Sequence, residues 1–126
     1  MTAAAERRDG FLMSMTISER QLDGVVILDL AGRITIGEGT IVIRKRILEL
    51  LGKDQRKFLL NLAEVDYIDS SGLGEIVASY TTVRNAQGDL KLLGLTRRVR
   101  DLMQITKLLT VLDVFERESD ALKSFR

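Results

Sequence analysis

Residues 61–79, NLAEVDYIDSSGLGEIVAS, decide the fold of this chain, because a strand gives way to a helix within them. The segment 58–62 is almost entirely apolar, which is typical of a strand covered on both faces. Downstream, the apolar residues recur at the spacing of one helical face. These residues are Leu73, Ile76, Val77 and Tyr80. The stretch therefore predicts a buried strand, a short connection and an amphipathic helix.

Two adjacent serines, Ser70 and Ser71, stand where the predicted helix begins. The first N–H groups of a helix lack intrahelical partners and the helix dipole is positive there, so a hydroxyl can cap the helix. A phosphate at the same place is tolerated for the same reason. We interpret Ser70 as the structural cap and Asp69 as a polar residue that shapes the serine loop. Ser71 then suits a serine whose state is switched by phosphorylation.

The chain resembles the anti-sigma-factor antagonists built on the STAS domain (sulphate transporter and anti-sigma antagonist). The resemblance rests on Leu60–Leu62 followed by Val65–Gly74. The family pattern is a strand ending in Asn-Leu or Asp-Leu, and then Asp-Ser-Ser-Gly-Leu or Asp-Ser-Thr-Gly-Leu opening a helix. Other segments lie in the family's order, so that nearly the whole chain from about residue 13 is covered. They are a strand at Val25–Leu30 followed by Ala31–Arg33, a strand at Leu90–Leu95 and a helix at Val99–Leu109.

The resemblance implies a protein that acts by reversible binding. In such proteins the second serine of the motif is phosphorylated, which here is Ser71. The kinase is the anti-sigma factor itself: the unphosphorylated antagonist binds it and frees a sigma factor, phosphorylation breaks the complex, and a phosphatase resets the cycle. We expect the partner to bind the loop and the first helical turn around the motif. These residues are Asp69, Ser70, Ser71, Gly72, Leu73 and Gly74.

One segment, Gly32–Thr40, departs from the family pattern. Many phospho-regulated members carry an Asp shortly after the Gly-Glu or Gly-Arg pair and an Ala in the following helix, whereas this chain reads GRITIGEGT. The departure keeps a second interpretation open. In it, the chain is a constitutive STAS adaptor in a signalling scaffold or a lipid-transport complex, and Ser71 is an interface residue.

Composition excludes several other classes of function. A chain of 126 residues with 45% hydrophobic content suits one domain with one core. The 19 basic and 18 acidic side chains nearly cancel, which argues against a dedicated nucleic-acid binder. Because the chain has no cysteine and no histidine, it lacks disulfides, the usual zinc sites and serine-histidine triads. No apolar stretch approaches the roughly 20 residues that span a bilayer. We therefore expect a cytoplasmic binding protein without a cofactor, metal site, catalytic residue or membrane span.

The remaining elements follow from periodicity and capping signals. We expect a hairpin at Asp23-Gly24, a helix at Thr40–Leu51 that stops at Gly52, and the end of the motif helix at about Gln87, before Gly88. The later elements are expected to be a strand at Leu90–Leu95, a helix at Val99–Leu109, a short strand near Val111–Phe115 and a last helix capped by Ser119. The inner face of the third helix is predicted to hold Val99, Leu102, Met103 and Thr106, and the runs Arg44–Arg46 and Arg97–Arg100 to be solvated.

This order of elements predicts an α/β fold, in which helical crossovers impose parallel pairing after one antiparallel hairpin. We expect a mixed, mostly parallel sheet of about 4–5 strands covered by about four helices. The predicted organisation is a flexible N-terminus over residues 1–12 and a single STAS domain over residues 13–126.

A small enzyme or nucleotide-binding domain is the third interpretation. Gly72–Val77 echoes a dinucleotide fingerprint, but Val77 replaces the third glycine, and close packing of the helix on the sheet explains Gly72 and Gly74 more simply. Asp66 and Asp69 could suggest the phosphoacceptor of a receiver domain, yet the other acidic cluster and the lysine of that class are missing. We interpret Asp66 as a turn residue. The sequence presents neither a nucleophile–base pair nor a phosphate-binding loop.

Overall fold

The computed structural model describes residues 15–126, and it begins with the predicted hairpin. Strands β1 (Met15–Leu22) and β2 (Val25–Ile34) pair in antiparallel fashion and are joined by Asp23 and Gly24. Both loop residues have positive φ, 53° and 78°, which suits the type I′ turn of a two-residue hairpin. The flexible segment predicted for residues 1–12, and the start of order predicted at residue 13, lie outside the described residues.

Three more strands complete the sheet: β3 (Lys57–Ile68), β4 (Asp89–Leu93) and β5 (Val114–Phe115). The five strands lie side by side in chain order, and the pairs β2–β3, β3–β4 and β4–β5 are parallel. The helices are α1 (Glu38–Leu51), α2 (Ser70–Asn85), α3 (Arg97–Ile105) and α4 (Glu118–Ser124), with a 3₁₀ turn at Leu108–Thr110. Over residues 15–126, this confirms the predicted α/β fold. None of the helices in this range is long and apolar enough to cross a membrane.

Both faces of the sheet are covered. Helices α1, α2 and α3 pack on one face, where alternate residues of the central strands form the larger core. From β2 and β3 this core takes Val26, Leu28, Leu30, Phe58, Leu60 and Leu62. Helix α4 packs on the other face against Ile27, Leu59 and Leu93. This two-sided burial explains why the central strands read as nearly continuous apolar runs.

Strand β3 is longer than the sequence predicts: it continues past Leu62 and ends at Ile68. The end of β2 stays paired with it as far as Ile34, through two shifts of register. Val65 points into the core while Asp66 is exposed, as alternation along a strand requires. The interpretation of Asp66 as a turn residue is therefore wrong, since pairing with β2 keeps the backbone extended there.

Left-handed residues other than glycine set the ends of two helices. The chain leaves α2 through Gln87, with φ at 69°, whereas the sequence predicted Gly88 as the stop. Helix α3 ends before Lys107, with φ at 64°, and so does not reach Leu109. Thr106 consequently lies at the C-terminal cap and is exposed, so its predicted place on the inner face is wrong.

The C-terminal elements are shorter than predicted. Strand β4 stops at Leu93, and β5 has two residues. Arg117, not Ser119, precedes α4 as its N-cap, so the predicted cap is wrong. Lys91 anchors the far end of this helix: its Nζ donates to the Ser124 carbonyl oxygen at 3.0 Å and to the Ser124 hydroxyl at 2.9 Å.

Candidate functional site

Three helices begin at one edge of the sheet. Because β2, β3 and β4 are parallel, their carboxyl ends lie together, and α1, α2 and α3 start from them. The N-cap residues are Gly37, Asp69 and Thr96, respectively. Open α/β sheets bind ligands at this edge, where the helix N-termini carry partial positive charge. The Asp-Ser-Ser-Gly motif lies on the central helix of the three.

Asp69 fixes the start of α2. Its Oδ1 accepts a hydrogen bond from the Gly72 N–H at 2.7 Å, and its Oδ2 accepts one from the Ile36 N–H at 3.0 Å. The bond from Gly72, followed by the bond from Ile36, holds the pKa of Asp69 below its ordinary value. The prediction that Ser70 caps the helix is therefore wrong: Asp69 caps it and also ties the β2–α1 connection to α2.

The two serines lie on different sides of α2. Ser70 is exposed and lines a groove of about 560 Å³ together with Arg98 and Leu102 of α3. Ser71 is half-buried. It shares a helical face with Glu75, four residues along, and Glu75 contacts α1. The serine predicted to be phosphorylated thus faces α1, whereas its neighbour faces α3.

The two glycines of the motif have different surroundings. Gly72 is buried against the end of β2, and a Cβ there would lie 2.9 Å from both the carbonyl carbon and Cγ2 of Ile34. Gly74 is exposed, and a Cβ there would meet no atom of residues 15–126 within 4 Å. Close packing, which the sequence predicted for both, is confirmed for Gly72 and wrong for Gly74. The Leu73 side chain points from α2 into the larger core, between the helices and the sheet.

A buried carboxylate lies one helical turn along α2 from Ser71. The Glu75 side chain is 3% exposed, and its Oε1 accepts from Arg44 Nη2 at 2.7 Å and from Arg44 Nε at 3.1 Å. Its Oε2 accepts from the Ser79 hydroxyl at 3.0 Å. The prediction that Arg44 lies on a solvated face is confirmed, since its side chain is 65% exposed, and its guanidinium is in addition held by Glu75 of α2. The signal in the sequence is a glutamate on the core side of an amphipathic helix, where a carboxylate needs a partner.

Apolar and cationic side chains flank the motif. Ile36, just after β2, is 74% exposed, and Ile41, in the first turn of α1, is 63% exposed. On the side of α3, the Arg33 guanidinium lies 4.6 Å from the centre of the Tyr67 ring. Arg98 lines a groove of about 590 Å³ with these two residues. Asp66 lines the same groove, so a partner at this edge would meet apolar surface beside α1 and a surface of mixed charge beside α3.

A helix that opens on Asp-Ser-Ser-Gly at the carboxyl edge of a mixed sheet defines a class of domain, and the chain belongs to it: the STAS domain family model matches residues 16–121. The chain is 31% identical over 104 residues to the anti-sigma-B factor antagonist of Bacillus subtilis (strain 168), covering 81% of this chain and 92% of the relative. It is 34% identical over 103 residues to the anti-sigma-B factor antagonist of Listeria monocytogenes, covering 81% and 88%. The crystal structure of an anti-sigma factor antagonist from Mycobacterium paratuberculosis has the same fold, with a TM-score of 0.76 at 21% identity over 90% of this chain and 95% of that one. These matches confirm the family that the motif predicted.

Proposed function

We propose that this chain is an anti-sigma-factor antagonist that binds a cognate anti-sigma factor, frees a sigma factor for transcription and is switched off by phosphorylation of Ser71. The anti-sigma factor is the serine kinase in this scheme, and a phosphatase resets the chain. The proposal extends to this chain what the names of its two bacterial relatives say of those proteins. The chain acts in the cytoplasm by binding alone, without catalysis and without a cofactor.

The observation that carries the proposal is the position of Ser71 in the first turn of α2, next to an aspartate that already caps the helix. Because Asp69 supplies the capping oxygen, the fold does not need the Ser71 hydroxyl for that purpose. The exposed Ile36 is bonded through its N–H to the same aspartate, and the exposed Ile41 lies in the first turn of the neighbouring helix. A partner that covers these isoleucines would also cover Ser71.

The exposed members of the motif complete the proposed contact surface. Ser70 and Gly74 are exposed, whereas Gly72 and Leu73 are buried and support them from below. In the part of the chain that the structure describes, no atom hinders a side chain at Gly74. We therefore attribute the glycine at this position to close approach of the partner's backbone.

The switch is electrostatic and local. A phosphate on Ser71 would add about −1.5 to −2 charges. The Asp69 carboxylate already accepts from the N–H groups of Gly72 and Ile36, so the phosphate meets a helix terminus whose nearest donors are engaged. A partner that covers this surface must desolvate the added charge. A penalty of about 3 kcal/mol weakens binding more than a hundredfold, so no refolding is required.

A constitutive STAS adaptor is the second candidate, and the segment Gly37–Gly39 favours it. Gly37 caps α1 without a side chain, with φ at 99°, in the region where many phospho-regulated members carry an aspartate. Gly39 packs on β2, where a Cβ would lie 3.4 Å from the Ile34 Cα. In this alternative Ser71 contacts a permanent partner and is never modified.

Phosphate mapping tests the proposal. Incubation with the cognate kinase and ATP should add one phosphate, which mass spectrometry should place on Ser71. Labelling should be lost in Ser71→Ala and kept in Ser70→Ala, a matched control because the adjacent hydroxyl faces α3. A phosphate on Ser70, on Ser119 or on a threonine would contradict the proposal.

The partner that co-purifies with the chain distinguishes the two candidates. A histidine-kinase-like ATPase supports the antagonist, whereas a membrane-transport ATPase supports the adaptor.

A further inference from the structure

The Arg44–Glu75 ion pair lies beside the proposed phosphorylation site. Residues four apart in a helix are neighbours on one face, about 6 Å apart at Cβ, so Ser71 and Glu75 share a stripe of α2. Helical side chains lean toward the N-terminus, which places the Glu75 carboxylate over the turn that contains Ser71. The Arg44 guanidinium lies 2.7 Å from that carboxylate and is therefore held near Ser71.

Among the contacts of residues 15–126, Arg44 has donors left after it binds Glu75. Its Nε and Nη2 both donate to Glu75 Oε1, which uses two of the about five N–H donors of a guanidinium. The Arg44 side chain is 65% exposed, so the rest of the guanidinium faces outward. Both oxygens of Glu75, in contrast, are bonded, one to Arg44 and one to Ser79.

We propose that Arg44 is the internal ligand of a phosphate on Ser71, donating to it from its outward nitrogens while keeping its bond to Glu75. The proposal rests on the proposed phosphorylation of Ser71 and adds a positioning residue to it. Arg44 stays on Glu75 because a buried carboxylate without its cation is costly. Phosphate oxygens accept charge-assisted hydrogen bonds from a guanidinium, and the helical spacing puts them within reach.

Three charged groups around this position set the ionisation of the phosphate. Glu75 on α2 and Asp69 at the helix cap oppose the second negative charge. Arg44 favours it. Arg44 therefore offsets these carboxylates and lowers the second pKa of the phosphate toward its ordinary value of about 6. The consequence is that the switch delivers close to its full double charge at neutral pH.

The test uses the full chain with phosphoserine genetically encoded at position 71, so that no kinase is needed. The second pKa of the phosphate is measured by ³¹P NMR titration at fixed ionic strength. Arg44→Gln should raise this pKa by about one unit, because it removes a positive charge a few ångströms away. Glu75→Gln should lower it, because it removes a negative charge. Lys45→Gln is the matched control: it removes an exposed cation from the next position of α1 and should leave the value unchanged.

Opposite shifts of the phosphate pKa in the Arg44 and Glu75 variants support Arg44 as the ligand of the phosphate, since a purely structural role would not produce them. Equal shifts in Arg44→Gln and Lys45→Gln, or no shift in either, would overturn it. If Arg44→Gln is too unstable to titrate, the double variant Arg44→Gln/Glu75→Gln is compared with Glu75→Gln alone. The second pKa of the phosphate should again be higher in the variant that lacks Arg44. These titrations need no partner, so their failure is distinct from a failure of the proposed function, which kinase labelling decides.

Discussion

Replacing Gly72 with alanine should destabilise the domain far more than the same replacement at Gly74, two positions along α2. Both residues belong to the family motif and both are helical, so helix propensity treats them alike. Their surroundings differ. The new Cβ at Gly72 would press on the backbone of Ile34 at the end of β2, whereas the new Cβ at Gly74 would project into open space.

The magnitudes follow from these contacts. At Gly72 the Cβ would lie 2.9 Å from the Ile34 carbonyl carbon and Cγ2, and closer still to the carbonyl oxygen. Backbone paired in a sheet cannot turn aside as a flexible side chain can, so we expect the upper end of the usual overpacking cost, about 3 kcal/mol. At Gly74 the alanine should stabilise the helix by about 0.5–1 kcal/mol, because it reduces the entropy lost on folding. Because the same gain in helix propensity applies at Gly72, it cancels, and the two variants should differ by about 3 kcal/mol.

Urea unfolding of the full chain, followed by circular dichroism, measures both free energies of unfolding. The thermal midpoint of Gly72→Ala should also fall, by roughly 10 °C or more for a domain of this size. Free energies of unfolding within about 1 kcal/mol of each other would contradict this prediction. They would mean that α2 does not rest on Ile34 as closely as described.

Three further predictions concern the same edge of the sheet. Asp69→Asn keeps a capping oxygen but removes the charge. Because folding lowers the pKa of Asp69, the wild type should have the larger free energy of unfolding above the pKa of unfolded aspartate. This difference should vanish as the pH falls through the lower pKa of the folded state. The difference between the two free energies of unfolding, measured by urea titration, should therefore shrink as the pH falls below about 3.9, the ordinary pKa of aspartate, and a constant difference would contradict this. Gly74→Ala should weaken binding to the anti-sigma partner in calorimetric titration even though it stabilises the fold, whereas unchanged affinity would place Gly74 outside the interface. The chain alone should hydrolyse neither ATP nor simple esters in a steady-state assay, and turnover that follows the purified chain through successive columns would overturn this.

Local patterns in the sequence were enough to predict the order of elements and the sheet. The Asp23-Gly24 pair specifies a tight hairpin, and the apolar runs separated by amphipathic segments specify parallel strands with helical crossovers. The start of α2 was predicted for the same reason, because a cluster of capping residues precedes a periodic apolar face.

The contacts that the sequence did not reveal join distant segments. Asp69 and Ser70 are both good capping residues, and the amide of Ile36, from a separate loop, gives Asp69 a second partner. The Arg44–Glu75 pair also joins two helices that are far apart in the chain. Gln87 is left-handed without being glycine, which no local pattern signals.

Calorimetric titration of the co-purified anti-sigma factor with wild type, Ser71→Ala and Ser71→Asp decides whether the state of Ser71 controls binding. Ser71→Ala should bind like the wild type, because the hydroxyl is not needed for the fold. Ser71→Asp should bind at least about tenfold more weakly, equivalent to about 1.4 kcal/mol, with unchanged thermal unfolding. Ser70→Asp, which places the same charge on the side of α3, is the matched control and should weaken binding less. Equal affinities for wild type, Ser71→Ala and Ser71→Asp would remove Ser71 from the interface and leave the constitutive adaptor as the better account.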